Sequence, residues 1–283
     1  MSIRQHSGPV ALARRTPIVT ACAWLLAGLC LVVQDASAAE DYATWDSFNN
    51  SSKVSAELWT GLDRSRIVKG GVAQFVQRDM GDQYTNTGTF NSSWGLDMRN
   101  PTAVTQMRAS VTVTEYMLSG CPSNASPSVL QARLNAAFFN AGPGAATSRI
   151  NDVGAVIRIR RLSTSNAPAS TLEVQGVVYQ CTTSDCNYGS VSLGAVDLGT
   201  VSLNTAVTLR MEWDQAAKRF NFYRDSNPVQ RVSYVVDDSQ PAYAPFRSIG
   251  TRTEMANCFS EARTEGLIAA TFDGVNVNAS AAP

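Results

Sequence analysis

Alternation of apolar and polar residues is the feature that most restricts the fold of this chain. In residues 102–118, "TAVTQMRASVTVTEYML", Met107, Ala109, Val111 and Val113 alternate with polar or charged neighbours. A period of two puts successive side chains on opposite faces, which is typical of a half-buried β-strand. Helix signals are scarce in the rest of the sequence, so the pattern predicts a fold built from strands.

Further segments carry a strand signature, and clusters such as "NAGPG" and "STSNAPAS" separate them as turns. The segments are 132–140, 153–162, 171–181, 206–214, 219–225, 229–236, 246–254 and 266–278. Many short strands joined by turns are typical of a sandwich or a barrel. Residues 40–283 contain no linker or repeat period, so we predict one all-β domain, an antiparallel β-sandwich.

Residues 1–39 have the order of a secretory signal peptide. Arg4, Arg14 and Arg15 precede the apolar run "IVTACAWLLAGLCLVV", and the small-residue stretch "ASAA" follows it. The apolar run is too short for a membrane span, and no later segment replaces it. We therefore expect a secreted or periplasmic protein without a membrane span.

The only histidine of the chain is His6, which lies inside this leader. The mature chain would have none, which excludes Ser-His-Asp and Cys-His catalysis, an imidazole general base and a histidine-bound metal. The sequence has 23 basic and 23 acidic residues. That balance carries no sign of a nucleic-acid-binding surface.

Four cysteines follow the leader, and an even number in an exported chain indicates disulfides with three possible connectivities. Cys181 and Cys186 flank four residues that have the composition of a loop tip. We expect these two to be bonded, which leaves Cys121 to pair with Cys258. A zinc site is disfavoured, because without histidine it would need all four cysteines or carboxylates.

Three segments resemble the concanavalin A-like lectin/glucanase (jelly-roll) superfamily. Residues 41–78 resemble its opening, with an Asp-x-Phe pair, a later Trp and a Gly-led strand. "VTLRMEWDQAAKRFNFYRD" resembles a hairpin of that fold, and "IAATFDGVNVN" resembles its last strand, which returns beside the first. The resemblance implies a jelly-roll sandwich over the whole mature chain, and it supports the fold more firmly than a function.

The glucanases of that superfamily use a strand motif of Glu, any residue, Asp, two residues and Glu. Glu212 and Asp214 match its first two positions, but Ala217 stands where the acid/base should be. The two carboxylates are therefore weak catalytic candidates. Alternatively, they are rim charges of a hairpin whose core side carries Trp213 and Phe220.

Arginines on the polar faces of several predicted strands indicate a possible binding surface. The residues of this pattern are Arg108, Arg158, Arg160 and Arg210, with Tyr116, Glu173, Gln175, Tyr179 and Glu212 on the same or neighbouring segments. On one sheet face, guanidinium forks and aromatic planes would suit an acidic or hydroxyl-rich glycan. The alternative is cross-strand ion pairing on an ordinary solvent face.

Two further patterns have both a functional and a structural interpretation. "GTRTEMANC" resembles the Arg-Ser/Thr-Glu core of alginate-lyase-type jelly rolls at Arg252 and Glu254, although the histidine of that mechanism is missing; a structural pair is the alternative. The resemblance also implies a structural calcium where the first and last strands meet, with Asp273 and Asp46 as ligands. A turn-capping role for Asp273 is the alternative.

Together these features predict a secreted, non-catalytic β-sandwich that binds a glycan or cell-envelope polysaccharide and requires no cofactor. A glycoside hydrolase or polysaccharide lyase of jelly-roll fold is one alternative. A structural or adhesive exoprotein is the other.

Overall fold

A computed structural model describes residues 41–49, 53–60, 66–186 and 189–283. The predicted leader, residues 1–39, lies outside this part of the chain. The described residues fall in one compact unit. No helical segment among them has the length and hydrophobicity of a membrane span.

Fifteen strands make up the described part of the chain, with single 3-10 turns at Pro101–Ala103 and Ala279–Ala281. The strands are β1 (Tyr42–Asp46), β2 (Trp59–Thr60), β3 (Arg66–Lys69), β4 (Val72–Met80), β5 (Thr89–Met98), β6 (Gln106–Leu118), β7 (Val129–Asn140), β8 (Asp152–Leu162), β9 (Thr171–Cys181), β10 (Ser190–Ser202), β11 (Val207–Asp214), β12 (Arg219–Arg224), β13 (Gln230–Ser233), β14 (Gln240–Ala256) and β15 (Glu265–Asn278).

These strands form two antiparallel sheets. Sheet A has the order β13-β12-β11-β6-β15-β4-β3, with β1 paired to the end of β15, and sheet B has the order β10-β9-β8-β7-β14-β5-β2. The first strand therefore lies beside the last one, as the resemblance to a jelly roll implies, with Tyr42 opposite Asn278. The predicted all-β, antiparallel sandwich is confirmed.

The core lies between the sheets and is built from the inward residues of each alternating strand. Met107, Val111 and Leu209 of sheet A are fully buried. Phe220 and Phe222 are fully buried as well, as the hairpin pattern predicts. The apolar face of each sheet thus meets that of the other, and the polar faces point away on opposite sides of the molecule.

Both predicted disulfides are confirmed. Cys121 is bonded to Cys258 across 137 residues, and Cys181 is bonded to Cys186 across five. The longer bond joins the segments that directly follow β6 and β14, and so ties sheet A to sheet B. The shorter bond closes a loop directly after β9.

A bulge in β6 corrects one prediction from the alternation pattern. Ala270 pairs with Val113 but Ala269 pairs with Glu115, so Thr114 is an extra residue on β6. An extra residue moves every later side chain to the other face. Tyr116 therefore packs against the core instead of joining the polar face assigned to it by the sequence.

Candidate functional site

Three of the predicted ligand-binding residues meet on the outer face of sheet A. Arg108 and Arg210 are direct cross-strand partners, and their guanidinium groups lie 4.6 Å and 3.3 Å from the ring centres of Tyr42 and Tyr223. Glu212 forms an ion pair with Arg210 at 3.3 Å and accepts hydrogen bonds from both tyrosine hydroxyls, at 3.2 and 2.9 Å. The cluster fastens β1 onto sheet A through Tyr42.

Asp214 has a structural environment at the end of β11. Its carboxylate accepts a hydrogen bond from the backbone N–H of Ala217 at 3.1 Å and pairs with Arg219 at 3.0 Å. These contacts cap the turn between β11 and β12. Asp214 thus has the contacts of a hairpin-rim charge, whereas the Glu212 side chain is only 12% exposed and lies inside the cluster with the two tyrosines.

The five predicted ligand-binding residues do not form one surface. Arg108, Arg210 and Glu212 belong to sheet A, whereas Arg158 lies on β8 of sheet B and points to the opposite side of the molecule. Tyr116 is turned inward by the bulge, and its hydroxyl donates to the carbonyl oxygen of Ala169. Sequence periodicity predicts the polar face of a strand where no bulge intervenes, but not the sheet to which the strand belongs.

A pocket of about 290 Å³ opens on the outer face of sheet B and gathers charged residues from several strands. Its arginines are Arg133 on β7, Arg158 on β8, Arg252 on β14 and Arg149 in the loop before β8, and Tyr179 of β9 lines it as well. Along β7, Gln131, Arg133 and Asn135 alternate with the buried Ala132, Leu134 and Ala136. This alternation puts the three polar side chains on the outer face, where Arg133 and Asn135 line the pocket.

Strand register brings the arginines together. Arg133 is directly opposite Arg158 on one side and Gly250 on the other, while Gln131 is opposite Arg252. In a sheet, directly opposed side chains on one face have Cβ atoms ~5 Å apart. The guanidinium groups of Arg133, Arg158 and Arg252 therefore lie close together on the outer face of sheet B.

Two of these arginines belong to a row of hydrogen bonds across the sheet. Arg252 pairs with Glu254 at 2.8 Å, and Gln131 donates to the same carboxylate oxygen at 2.9 Å. Arg158 donates to the side-chain oxygen of Gln131 at 3.1 Å and to that of Gln175 at 2.7 and 3.2 Å. The Glu254 carboxylate thus accepts hydrogen bonds from Arg252 and Gln131. The acceptors of Arg158 are neutral amide oxygens, so among the described residues no carboxylate compensates its charge directly.

Among the three arginines on the strands of the pocket, Arg133 has the poorest set of acceptors, while Arg149 in the loop before β8 lies 6.0 Å from the ring centre of Phe246. Among the described residues it forms no ion pair, and its hydrogen bond goes to the Ser93 hydroxyl at 3.1 Å. Burial and the nearby positive charge of Arg252 lower the pKa of Arg133 to about 9. Burial, followed by the charge of Arg160, lowers the pKa of Arg158 to about 10. Both shifts show that positive charge is crowded and poorly solvated here.

Tyr179 is held in the neutral form. Its hydroxyl donates to the side-chain oxygen of Asn135 at 3.0 Å. Burial raises the pKa of this phenol, against the opposing influence of Arg133 and Arg252. A tyrosine with a raised pKa is a hydrogen-bond donor and a flat contact surface at neutral pH, not a general base.

The acidic residues that line the pocket also have partners. Asp152 is buried and accepts hydrogen bonds from the Asn140 amide at 2.7 Å and from the backbone N–H of Tyr243 at 2.9 Å. Asp185 accepts from the Thr183 hydroxyl at 2.9 Å and stands in the loop closed by the short disulfide. That disulfide thereby forms one wall of the pocket.

The predicted calcium ligands lie near one another in the strand order, on β1 and β15. Asp46 is opposite Val275, and its carboxylate already accepts hydrogen bonds from the Phe48 backbone N–H at 2.7 Å and the Trp59 indole at 2.8 Å. Asp273 is exposed. A calcium site at these residues stays a prediction.

A different trio brings three potential metal-ligand groups together in the described ranges. It consists of Cys121, Cys258 and Glu261. Because the two cysteines are bonded to each other, the trio is a disulfide beside an exposed carboxylate rather than a metal site.

The class of fold is an antiparallel β-sandwich, and the solved structures similar to it include glucanases and laminarinases. The catalytic domain of a laminarinase from Thermotoga petrophila RKU-1 is 13% identical with a TM-score of 0.39, over 83% of this chain and 99% of that one. LamAcat from Zobellia galactanivorans is 10% identical with a TM-score of 0.36, over 82% and 89%. The β-glucanase of Bacillus licheniformis is 10% identical with a TM-score of 0.36, over 83% and 97%. Neither a protein-family model nor a curated protein matches the chain.

Sequence reasoning missed the centre of the pocket. It identified residues 132–140 as a strand but did not single out Arg133, because a lone arginine on an alternating strand is ordinary. The signal that could have found it is the run of three alternate polar residues, Gln131, Arg133 and Asn135, which have large hydrogen-bonding side chains on one face of the strand. Arg252 and Glu254, which the sequence singled out, form the expected pair.

Proposed function

We propose that this chain is a non-catalytic glycan-binding protein of the concanavalin A-like superfamily that holds its ligand on the outer face of sheet B. The observation that carries the proposal is the pocket there, lined by guanidinium, amide and phenol groups from four adjacent strands. Such groups form the multiple hydrogen bonds that a hydroxyl-rich ligand needs, and Tyr179 adds an apolar plane.

The environment of the pocket's acids supports binding over cleavage. Glycoside hydrolysis requires one carboxyl group as an acid and another as a nucleophile or base. Glu254 is paired with Arg252, and Asp152 is buried among amide donors. Tyr179, with its raised pKa, is a poor base for a lyase reaction. No group in the described part of the pocket stands ready for either step.

Export to the cell exterior is part of the proposal. The leader predicted at residues 1–39 and the two disulfides support an oxidising compartment. A glycan or cell-envelope polysaccharide is the ligand class that such a compartment offers to a pocket of this chemistry.

The test is a glycan array that includes neutral and acidic polysaccharides, run beside reducing-sugar and unsaturated-uronate assays. Binding without release of sugar, lost in Arg252→Ala, is the expected result. Turnover lost in Glu254→Gln would establish an enzyme instead. Absence of binding to any polysaccharide would leave the structural or adhesive alternative.

A further inference from the structure

Of the three arginines on the strands of the pocket, Arg133 is the one whose charge is least compensated. Arg252 has the Glu254 carboxylate at 2.8 Å, and Arg158 has three hydrogen bonds to amide oxygens. In the described structure Arg133 donates to the Ser93 hydroxyl and pairs with no acid. A partly buried charge without an opposite charge is costly, and two neighbouring guanidinium groups add repulsion.

Arg133 lines the pocket of about 290 Å³, so space for a ligand exists beside its guanidinium group. On the β14 side the cross-strand partner of Arg133 is Gly250, and the partner of Gly250 on β5 is Gly95. A Cβ atom at Gly250 would lie 2.2 Å from the carbonyl oxygen of Trp94, so this position admits no side chain. The next two positions across the sheet from Arg133, on β14 and β5, are therefore glycines, and no side chain from them covers the guanidinium group.

We propose that Arg133, flanked by Arg158 and Arg252, binds an anionic oxygen group on the glycan, either the carboxylate of a uronic acid or a sulfate ester. The planar guanidinium fork matches two oxygens of such a group. The bound anion would supply the opposite charge that Arg133 lacks and would reduce the repulsion among the three arginines. This inference rests on the proposed function and narrows it to acidic glycans.

Calorimetric titration with matched oligosaccharides tests the charge requirement. The probes are oligogalacturonate and oligomannuronate, the methyl ester of each, and a sulfated galactan oligosaccharide with its desulfated form. We expect at least one charged probe to bind about ten-fold or more tightly than its uncharged partner. The uronates and the sulfated probe distinguish the two sources of the anion.

Two variants that remove the same charge locate the effect. Arg133→Gln should abolish the preference for the charged probe. Arg78→Gln should retain it, because Arg78 is an exposed residue of β4 on the outer face of sheet A, paired with Glu265. Equal affinity for charged and uncharged probes would overturn the inference and leave a glycan-binding function standing. An equal loss in both variants would overturn it as well.

A separate readout covers the case in which no oligosaccharide binds, which would overturn the proposed function. Inorganic sulfate is then titrated while the Arg133 side-chain N–H signal is followed by NMR, with the signal assigned through Arg133→Gln. A saturable shift in the wild type and in Arg78→Gln supports the anion site by itself. A signal that does not move with sulfate overturns it.

Discussion

Replacing Arg133 with glutamine should stabilise the free protein while it removes the preference for an acidic glycan. The guanidinium group forms no ion pair in the described structure and stands beside Arg158 and Arg252. Glutamine keeps an amide that can donate to Ser93, but it removes the crowded charge. A site kept for binding at the expense of stability is a common compromise in functional pockets.

The size of the gain follows from the pKa. Burial and Arg252 lower the pKa of Arg133 from the ordinary guanidinium value to about 9. At about 1.36 kcal/mol per pKa unit, this fall sets an upper limit of roughly 5 kcal/mol on the cost of the charge. The side chain is partly exposed, so water screens much of that cost. We expect Arg133→Gln to raise the free energy of unfolding by about 1–2 kcal/mol at pH 7.

The gain should depend on pH in a defined direction. Below pH 9 the arginine is protonated in both the folded and the unfolded chain, so the full penalty is present in the wild type. Above pH 9 the folded protein releases the proton more readily than the unfolded chain, and the wild type regains stability relative to the variant. The difference between the two proteins should therefore be larger at pH 7 than at pH 10.

Urea unfolding of both proteins at pH 7 and pH 10, followed by tryptophan fluorescence, measures this difference. Groups that titrate in both proteins cancel in the comparison. The matched variant Arg78→Gln loses an exposed ion pair and should change stability by less than about 1 kcal/mol, in the destabilising direction. If Arg133→Gln destabilises the protein at pH 7, the group is compensated in the folded state and the reasoning about the pocket is wrong.

Three other variants test the sandwich itself. Gly176→Ala should destabilise the fold by about 1–3 kcal/mol in urea unfolding, because its Cβ would lie 2.5 Å from the ring of the buried Phe222. Changing both Cys121 and Cys258 to alanine should cost about 2–5 kcal/mol by the same assay, since this disulfide closes a span of 137 residues; an unchanged midpoint would refute its role. Glu212→Gln should lower stability by about 1–2 kcal/mol through its tyrosine contacts, yet leave glycan affinity unchanged in titration, because it lies on sheet A.

Much of the fold could be predicted from the sequence, because alternation is a local property. The pattern in residues 102–118 and 206–214 corresponds to β6 and β11, with the expected faces buried. The strand β10 (Ser190–Ser202) was not predicted, since "SVSLGAVDLGTVS" mixes serine and glycine with few large apolar residues. Most of its side chains are exposed at the edge of sheet B, so few of them need to be apolar and the sequence shows no clear alternation.

The candidate site was less accessible to sequence reasoning, because it depends on which strands are neighbours. Arg108 and Arg158 have the same local pattern but lie on opposite sheets. The face of Tyr116 was predicted wrongly because one extra residue in β6 reverses the alternation, and a bulge leaves no mark in composition. Arg133 gains its significance from its cross-strand neighbours, which no spacing along the chain reveals.

The late position of two central strands in the chain has a consequence for how the molecule forms. β15 lies between β6 and β4, and β14 lies between β7 and β5, although they are the last two strands in sequence. Neither sheet can be completed until residues 240–278 have been synthesised. The pairings of β14 with β7 and of β15 with β4 and β6 join distant parts of the chain. Such non-local topology predicts slow folding, with open strand edges exposed in the meantime. Truncation before β15 should therefore remove the ability to fold, rather than merely shorten the sheet.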